Sequence, residues 1–250
     1  MAIEKPVVSW YQGTNTTSTE VKGRVSFGQV NADDVSLPIT HFIWNNRAGT
    51  EDAPKMEDVT FTTRDLNGGD GTTVGFEVEA VKNNWFQGKV DTLGQTSFTP
   101  VGRGGVGTVN PSGLLKLGTK GTTTNVNADT ATVWTADATL SLNQYIKPTL
   151  GNGFIYKVTK AGVAGDTEPT WLTTEGLIVN DGTAILTAIK IEKVPADQEI
   201  LGLANNTLPD GSNANLAGGN FVQLTTVVDI PFDATSGKNI CKYRVNFRYV

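Results

Sequence analysis

Four groups of residues in this chain have the types and spacing that chemistry uses. Gly102-x-Gly104-x-x-Gly107 matches, as a string, the phosphate-cradling turn of dinucleotide sites. That turn works only where it joins a strand to a helix whose N-terminus meets the pyrophosphate. Here Val109-Asn110-Pro111-Ser112-Gly113 follows, and Pro and Gly oppose a helix, so a flexible loop is expected. Asp65-x-Asn67-x-Gly69-Asp70-Gly71 looks like half a calcium loop. The full pattern asks for Asp or Asn at the fifth position and a bidentate Glu at the twelfth. Gly69 and Phe76 stand there, which favours a hairpin or loop and leaves an irregular, oxygen-rich calcium site as the alternative. His41 is the single histidine, so a Ser-His-Asp triad or an imidazole metal site would have to use it. It adjoins Phe42-Ile43-Trp44 in a strand pattern, without a G-x-S-x-G elbow, and a packed or edge histidine is expected. Glu168 and Asp181 could form a glycosidase pair, since two carboxylates are the minimum for that reaction. Both sit in turn contexts, where solvated turn residues account for them. No catalytic, cofactor-binding or metal-ligating residue is assigned, and no cofactor is expected.

The five tryptophans stand at positions 10, 44, 85, 134 and 171. An exposed aromatic ring is a platform for a sugar, but packing is the usual fate of a side chain that buries so much area. Trp44 and Trp85 are expected in a core. Trp171, just after Glu168-Pro169, is the best placed for an exposed contact, and Trp10, near the start, is a candidate contact in assembly. Trp171, Glu168 and Trp10 are therefore the possible surface contacts.

These residues must be positioned by short strands. Thr, Asn and Gly are abundant, and β-branched residues punctuated by Gly and Asn favour strands and tight turns over long helices. Strands are expected over residues 7–11, 20–30, 41–45, 58–63, 73–81, 85–92 and 97–101, a spacing that suggests a β-sandwich. Alternation is clear at Val59 and Phe61, and again at Phe76, Val78 and Ala80. Residues 102–121 are glycine-dense and read as a linker or long loop with at most one short strand. Residues 127–193 read as a small β module with hairpin turns at Asn152-Gly153 and Asp181-Gly182. Strong strands over 221–230 and 240–250 each have one apolar face and need a partner sheet. The simplest partner is the N-terminal part of the chain. The expected organisation is one discontinuous sandwich, 1–118 plus 195–250, with 119–194 as linker and inserted module.

The formal net charge is −5. This supplies no basic footprint for nucleic acid and no polybasic cluster for an anionic membrane. No run approaches the ~18 apolar residues that a spanning helix needs. The single cysteine, Cys241, excludes an internal disulfide framework. The opening MAIEKPVVSW has no apolar signal region, so synthesis and folding in a cytoplasm are expected. The strings Asn15-Thr16-Thr17 and Asn205-Asn206-Thr207 match a glycosylation acceptor that has no meaning without secretion.

Three places resemble structural proteins of tailed bacteriophages and prophages. The first is Val8-Ser9-Trp10-Tyr11 with Asn15-Thr16-Thr17, Phe27-Gly28-Gln29-Val30 and Phe42-Ile43-Trp44-Asn45-Asn46-Arg47, similar to immunoglobulin-like sandwiches of prophage structural clusters. Here Ala48 precedes Gly49, a small departure. The second is Tyr156-Lys157-Val158-Thr159-Lys160-Ala161-Gly162 with Glu168-Pro169-Thr170-Trp171 and Asp181-Gly182-Thr183. The third is Val228-Asp229-Ile230-Pro231 with Ala234-Thr235-Ser236-Gly237 and Tyr243-Arg244-Val245, similar to the closing strands of such sandwiches. The resemblance implies an all-β, immunoglobulin-like sandwich with an inserted small β module, and a non-enzymatic component of a phage or phage-like particle at the tail or baseplate. It implies a virion location and, as partners, other virion proteins and copies of the same chain. A capsid decoration or head-fibre protein is one alternative. A carbohydrate-binding module that contacts a host surface glycan is another.

Overall fold

The computed structural model describes residues 4–14 and 19–249. Asn15-Thr16-Thr17 and Val250 lie outside the described residues. The fold is all-β, with several antiparallel sheets and little helix. The chain divides into two compact units: unit 1 comprises 1–121 and 194–250, and unit 2 comprises 122–193.

The N-terminal part of unit 1 contains β1 (Val8–Gln12), β2 (Thr19–Glu20), β3 (Ile39–Asn45), β4 (Glu57–Arg64), one helical turn α1 (Glu79–Lys82), β5 (Phe86–Val90), β6 (Thr99–Val101) and β7 (Leu115–Lys116). Unit 2 follows with β8 (Thr123–Thr124), β9 (Thr132–Val133), β10 (Thr139–Leu140), β11 (Tyr145–Lys147), β12 (Phe154–Lys160), β13 (Gly162–Val163), β14 (Ile178–Asp181), β15 (Ala184–Lys190) and β16 (Glu192–Lys193). The chain then completes unit 1 with β17 (Phe221–Val228) and β18 (Lys242–Arg248).

Unit 1 is a sandwich of a six-stranded sheet, β2-β1-β3-β17-β5-β6, and a three-stranded sheet, β18-β4-β7. Alternation builds the core between them. Ile43, Phe86, Val90, Val222 and Leu224 from one sheet meet Val59, Phe61 and Leu115 from the other. Tyr243, Val245 and Phe247 of β18 pack against the same cluster, while Lys242, Arg244 and Arg248 point away, as a period of two requires. Burying a ring such as Phe61 contributes about 2–3 kcal/mol. The six-stranded sheet is covered on its other face too. There Phe42, Trp44 and Phe221 pack with Ala214 and Ala217 from the turn-rich segment before β17.

Unit 2 has its own core of Leu140, Ile146, Tyr156, Val158, Val179, Leu186 and their neighbours. Its main sheet runs β14-β15-β12-β11-β9, antiparallel except for the parallel pair β9 and β11. β14 and β15 form a tight hairpin, Asp181 opposite Ala184. β8 and β16 pair with each other, so the chain enters and leaves the unit side by side.

Two expected strands are absent. Residues 21–30 have no ladder; Gly28 takes φ +74°, and Phe27 anchors the segment by an edge contact on Phe86. Residues 73–78 are turns, and 79–82 form α1. Gly75 has φ +80°, the Phe76 amide donates to the Thr73 carbonyl, and the Val81 and Lys82 amides both donate to the Val78 carbonyl. The helix-forming Glu79, Ala80 and Lys82 outweigh the alternating pattern here. Asn152-Gly153 is not a two-residue hairpin either, since six residues separate β11 from β12. In the β14–β15 hairpin the two loop residues are Gly182 and Thr183, one position later than expected, with φ +57° at Gly182.

Candidate functional site

Asp65 follows β4 and folds the next six residues around its own carboxylate. Oδ1 accepts the amides of Asn67 and Gly69, both at 2.8 Å, and Oδ2 accepts that of Gly71 at 3.2 Å. These backbone donors, Gly69 foremost, hold its pKa below the usual carboxylate range. A carboxylate whose oxygens already face N–H dipoles has little to offer a cation. The calcium-like string is therefore a loop organised by an anion from within. Gly102–Gly113 is likewise a closed loop. The Gly102 amide donates to the Gly113 carbonyl and the Gly105 amide to the Pro111 carbonyl. β7 follows it rather than a helix, so the dinucleotide geometry does not form.

His41 lies in β3 with no exposed surface, and among the described residues neither ring nitrogen has a hydrogen-bond partner. Trp10 meets it edge-on at 5.9 Å between ring centroids, and Tyr243 does so at 5.5 Å. Burial lowers its pKa to about 4. It is a packed histidine.

The resemblance motif Trp44-Asn45-Asn46-Arg47 builds a polar knot where β3 leaves the sheet. Asn45 Oδ1 accepts the Val7 amide at 3.0 Å, and its Nδ2 donates to the Pro54 carbonyl at 2.9 Å. Asn46 sits at φ +59°, which Asn tolerates better than most residues. Its Nδ2 donates to the carbonyls of Glu51 and Gly202. Asn205 and Asn220 return the favour from the C-terminal segment, donating to the carbonyls of Asn46 and Asn45. The Arg47 guanidinium lies 3.6 Å above the centre of the Tyr11 ring. Four asparagines thus tie together chain segments more than 150 residues apart.

In unit 2, Glu168 is a clamp. Oε1 accepts the Thr149 amide and Trp171 Nε1–H, at 2.9 and 2.8 Å, and Oε2 accepts the Thr149 hydroxyl at 2.6 Å. The Thr149 donors lead in holding its pKa below the usual carboxylate range. Trp171 is half-buried and lies 4.3 Å from the Tyr156 ring, and the Tyr156 hydroxyl donates to the Leu172 carbonyl. Pro148, Leu150, Asn152, Pro169 and Trp171 line an open cleft of about 370 Å³ beside the clamp. Asp181 is buried elsewhere, accepting Trp134 Nε1–H and the Gly165 amide at 2.8 Å each. The structure thus places Glu168 and Asp181 in separate hydrogen-bond networks with no group in common.

Trp10, the third possible contact, is half-buried on β1. It packs against the unit 1 core and within 6.4 Å, centroid to centroid, of His41, Phe61 and Tyr243. β1 pairs with β3 over five residues, so residues 8–12 are built into the sheet. The asparagine knot has no local signal in the sequence, because its members come from segments far apart in the chain. No family model, curated protein or solved structure matches the chain.

Proposed function

We propose that the protein is a non-enzymatic structural component of a tailed phage or phage-like particle, placed at the tail or baseplate. The observation that carries this reading is where the three resembling motifs fall. The first and third have residues on β1, β3 and β18 and at the end of β17 of one sandwich, although about 180 residues separate Arg47 from Val228. The second lies within unit 2, on β12 and in the turns that follow. The resemblance thus has residues in both units. Among the described residues, the matching stretches are strands, turns and connecting segments. The mechanism is geometric: unit 1 docks on a symmetric assembly, and repetition makes weak contacts sufficient through high effective concentration. Mass spectrometry of particles purified from the host that carries the gene tests the reading, which expects the chain in several copies per particle. Its absence from purified particles refutes the role. Labelling in intact particles separates tail from capsid decoration.

The open cleft beside Trp171 favours a second reading, a module that grips host glycan. Retention on cell-wall glycan that is lost in Trp171→Ala would support it.

A further inference from the structure

One end of the unit 1 sandwich is built differently from the rest. By register, the residues that precede β3 and the β4–β5, β6–β7 and β17–β18 connections all lie at the end marked by Ile39, Arg64, Val101 and Val228. Thr92, Gly118 and Gln198 lie at the other end. Hydrogen bonds knit the four loops together. The Ser36 amide donates to the Val228 carbonyl and the Asp33 amide to that of Ile230. The Ala80 amide donates to Asn239 Oδ1, and the Thr235 hydroxyl to Glu79. The Arg103 amide donates to the Val81 carbonyl, and its guanidinium pairs with Asp70.

This braced end exposes apolar side chains. Among the described residues, unit 1 has eleven exposed large hydrophobics, and eight of them are here. Leu37, Val74, Phe76, Val106, Val109 and Phe232 are each between 64% and fully exposed. At roughly 100 Å² apiece, the eight approach the ~800 Å² that one partner contributes to a standard interface. Charge is concentrated here too. Segments 31–38, 65–84, 102–113 and 229–241 carry eight acidic residues and three basic ones, a net −5 that equals that of the whole chain. Counting Arg64 and Lys242, which reach the Gly102 and Leu66 carbonyls from the flanking strand ends, the net is still −3.

We propose that this end is the surface by which the protein docks in the particle, and that its partner is a protein surface with an apolar centre framed by Lys and Arg. The inference rests on the particle role above and names the contact that role requires. A second copy docked end to end would oppose one acidic rim to another. A nucleic acid or an anionic bilayer would be repelled by the same rim.

The test places a photo-crosslinking amino acid at position 106 of the full chain, in cells that produce particles, and sequences the crosslinked peptides by mass spectrometry. Crosslinks to one other particle protein, in a segment with apolar residues flanked by Lys or Arg, are expected. Val106→Asp with Val109→Asp, and separately Glu77→Lys with Asp233→Lys, should each lower incorporation by about tenfold while circular dichroism and the melting midpoint stay as in the parent. Crosslinks to the same chain, or normal incorporation of both double variants, overturn the docking surface while leaving the protein in the particle. A chain missing from the particle spectrum refutes the particle role instead, and the inference with it.

Discussion

The Tyr243 ring stands edge-on to His41, with centroids 5.5 Å apart and planes at 85°, and with Trp10 it closes an apolar cage around the imidazole. The Tyr243 hydroxyl is bound elsewhere, 3.1 Å from the Thr226 hydroxyl. His41 therefore sits in the fold as a neutral ring, and its pKa of about 4 lies below the ordinary value near 6.5. Between those two pH values the unfolded chain binds a proton that the folded chain refuses. Stability contributed by the neutral ring is full above the unfolded pKa and is lost as pH falls toward 4. The loss expected from this group is about 3 kcal/mol. Urea unfolding at pH 7 and at pH 4.5 should show a steeper decline for the parent than for His41→Phe. Equal declines would remove His41 as the cause.

Asn46 should be the most sensitive residue of the polar knot. Asn46→Ala removes hydrogen bonds to two carbonyls and leaves a β-carbon residue at φ +59° without its compensating side chain. Stranded buried acceptors and left-handed backbone together cost about 2–4 kcal/mol. Asn46→Gly keeps the backbone relaxed and isolates the hydrogen bonds, so it should lose less. Denaturant midpoints of the two variants measure the difference, and identical midpoints would mean that the backbone conformation costs nothing.

How much of this could be read in advance depended on range. β18 was legible because Tyr243, Val245 and Phe247 alternate with charged or amide side chains, and the β14–β15 hairpin because Asp181-Gly182 interrupts two apolar runs. The all-β class followed from many such local signals. Residues 73–81 misled because Phe76, Val78 and Ala80 alternate like a strand, while the outcome was set by a glycine at positive φ and a helical turn of three good formers. The asparagine knot and the apolar loop end were not legible. Both depend on which distant segments meet, as when Gly202 closes over Asn46, and side-chain periodicity does not carry that information.

Glu168 braces a cleft wall, and its removal should loosen that wall alone. In Glu168→Ala the Thr149 amide and Trp171 Nε1–H both lose their acceptor. Hydrogen exchange at Thr149 should rise by about tenfold or more, the factor that corresponds to ~1.4 kcal/mol, while amides of β3 and β17 keep their protection. A rise spread evenly over both units would show that Glu168 supports global stability instead.

Cys241 is the one thiol, half-buried beside the unit 1 core, and burial raises its pKa to about 12. The thiolate is the reactive form, so the folded protein should react with a disulfide reagent at pH 8 far more slowly than the same chain in denaturant. A ratio of at least about a hundredfold is expected, since an ordinary thiol near pKa 8.5 is partly ionised at that pH. Equal rates would place Cys241 in open solvent.

Unit 2 should fold by itself. Its core is drawn wholly from residues within 122–193, and the β8–β16 pair brings its two ends together, Thr123 opposite Lys193. The reciprocal deletion is informative for the same reason: Gly121 and Val194 adjoin the two ends of that pair, so a short Gly-Ser linker can replace 122–193. At 72 residues the fragment is near the small end for independent stability. A cooperative but low melting midpoint is therefore expected for it, with dispersed amide resonances. The deletion protein should melt cooperatively and retain the pH dependence assigned to His41. A fragment without a melting transition, beside a deletion protein that melts normally, would mean that unit 2 draws its stability from the parent chain.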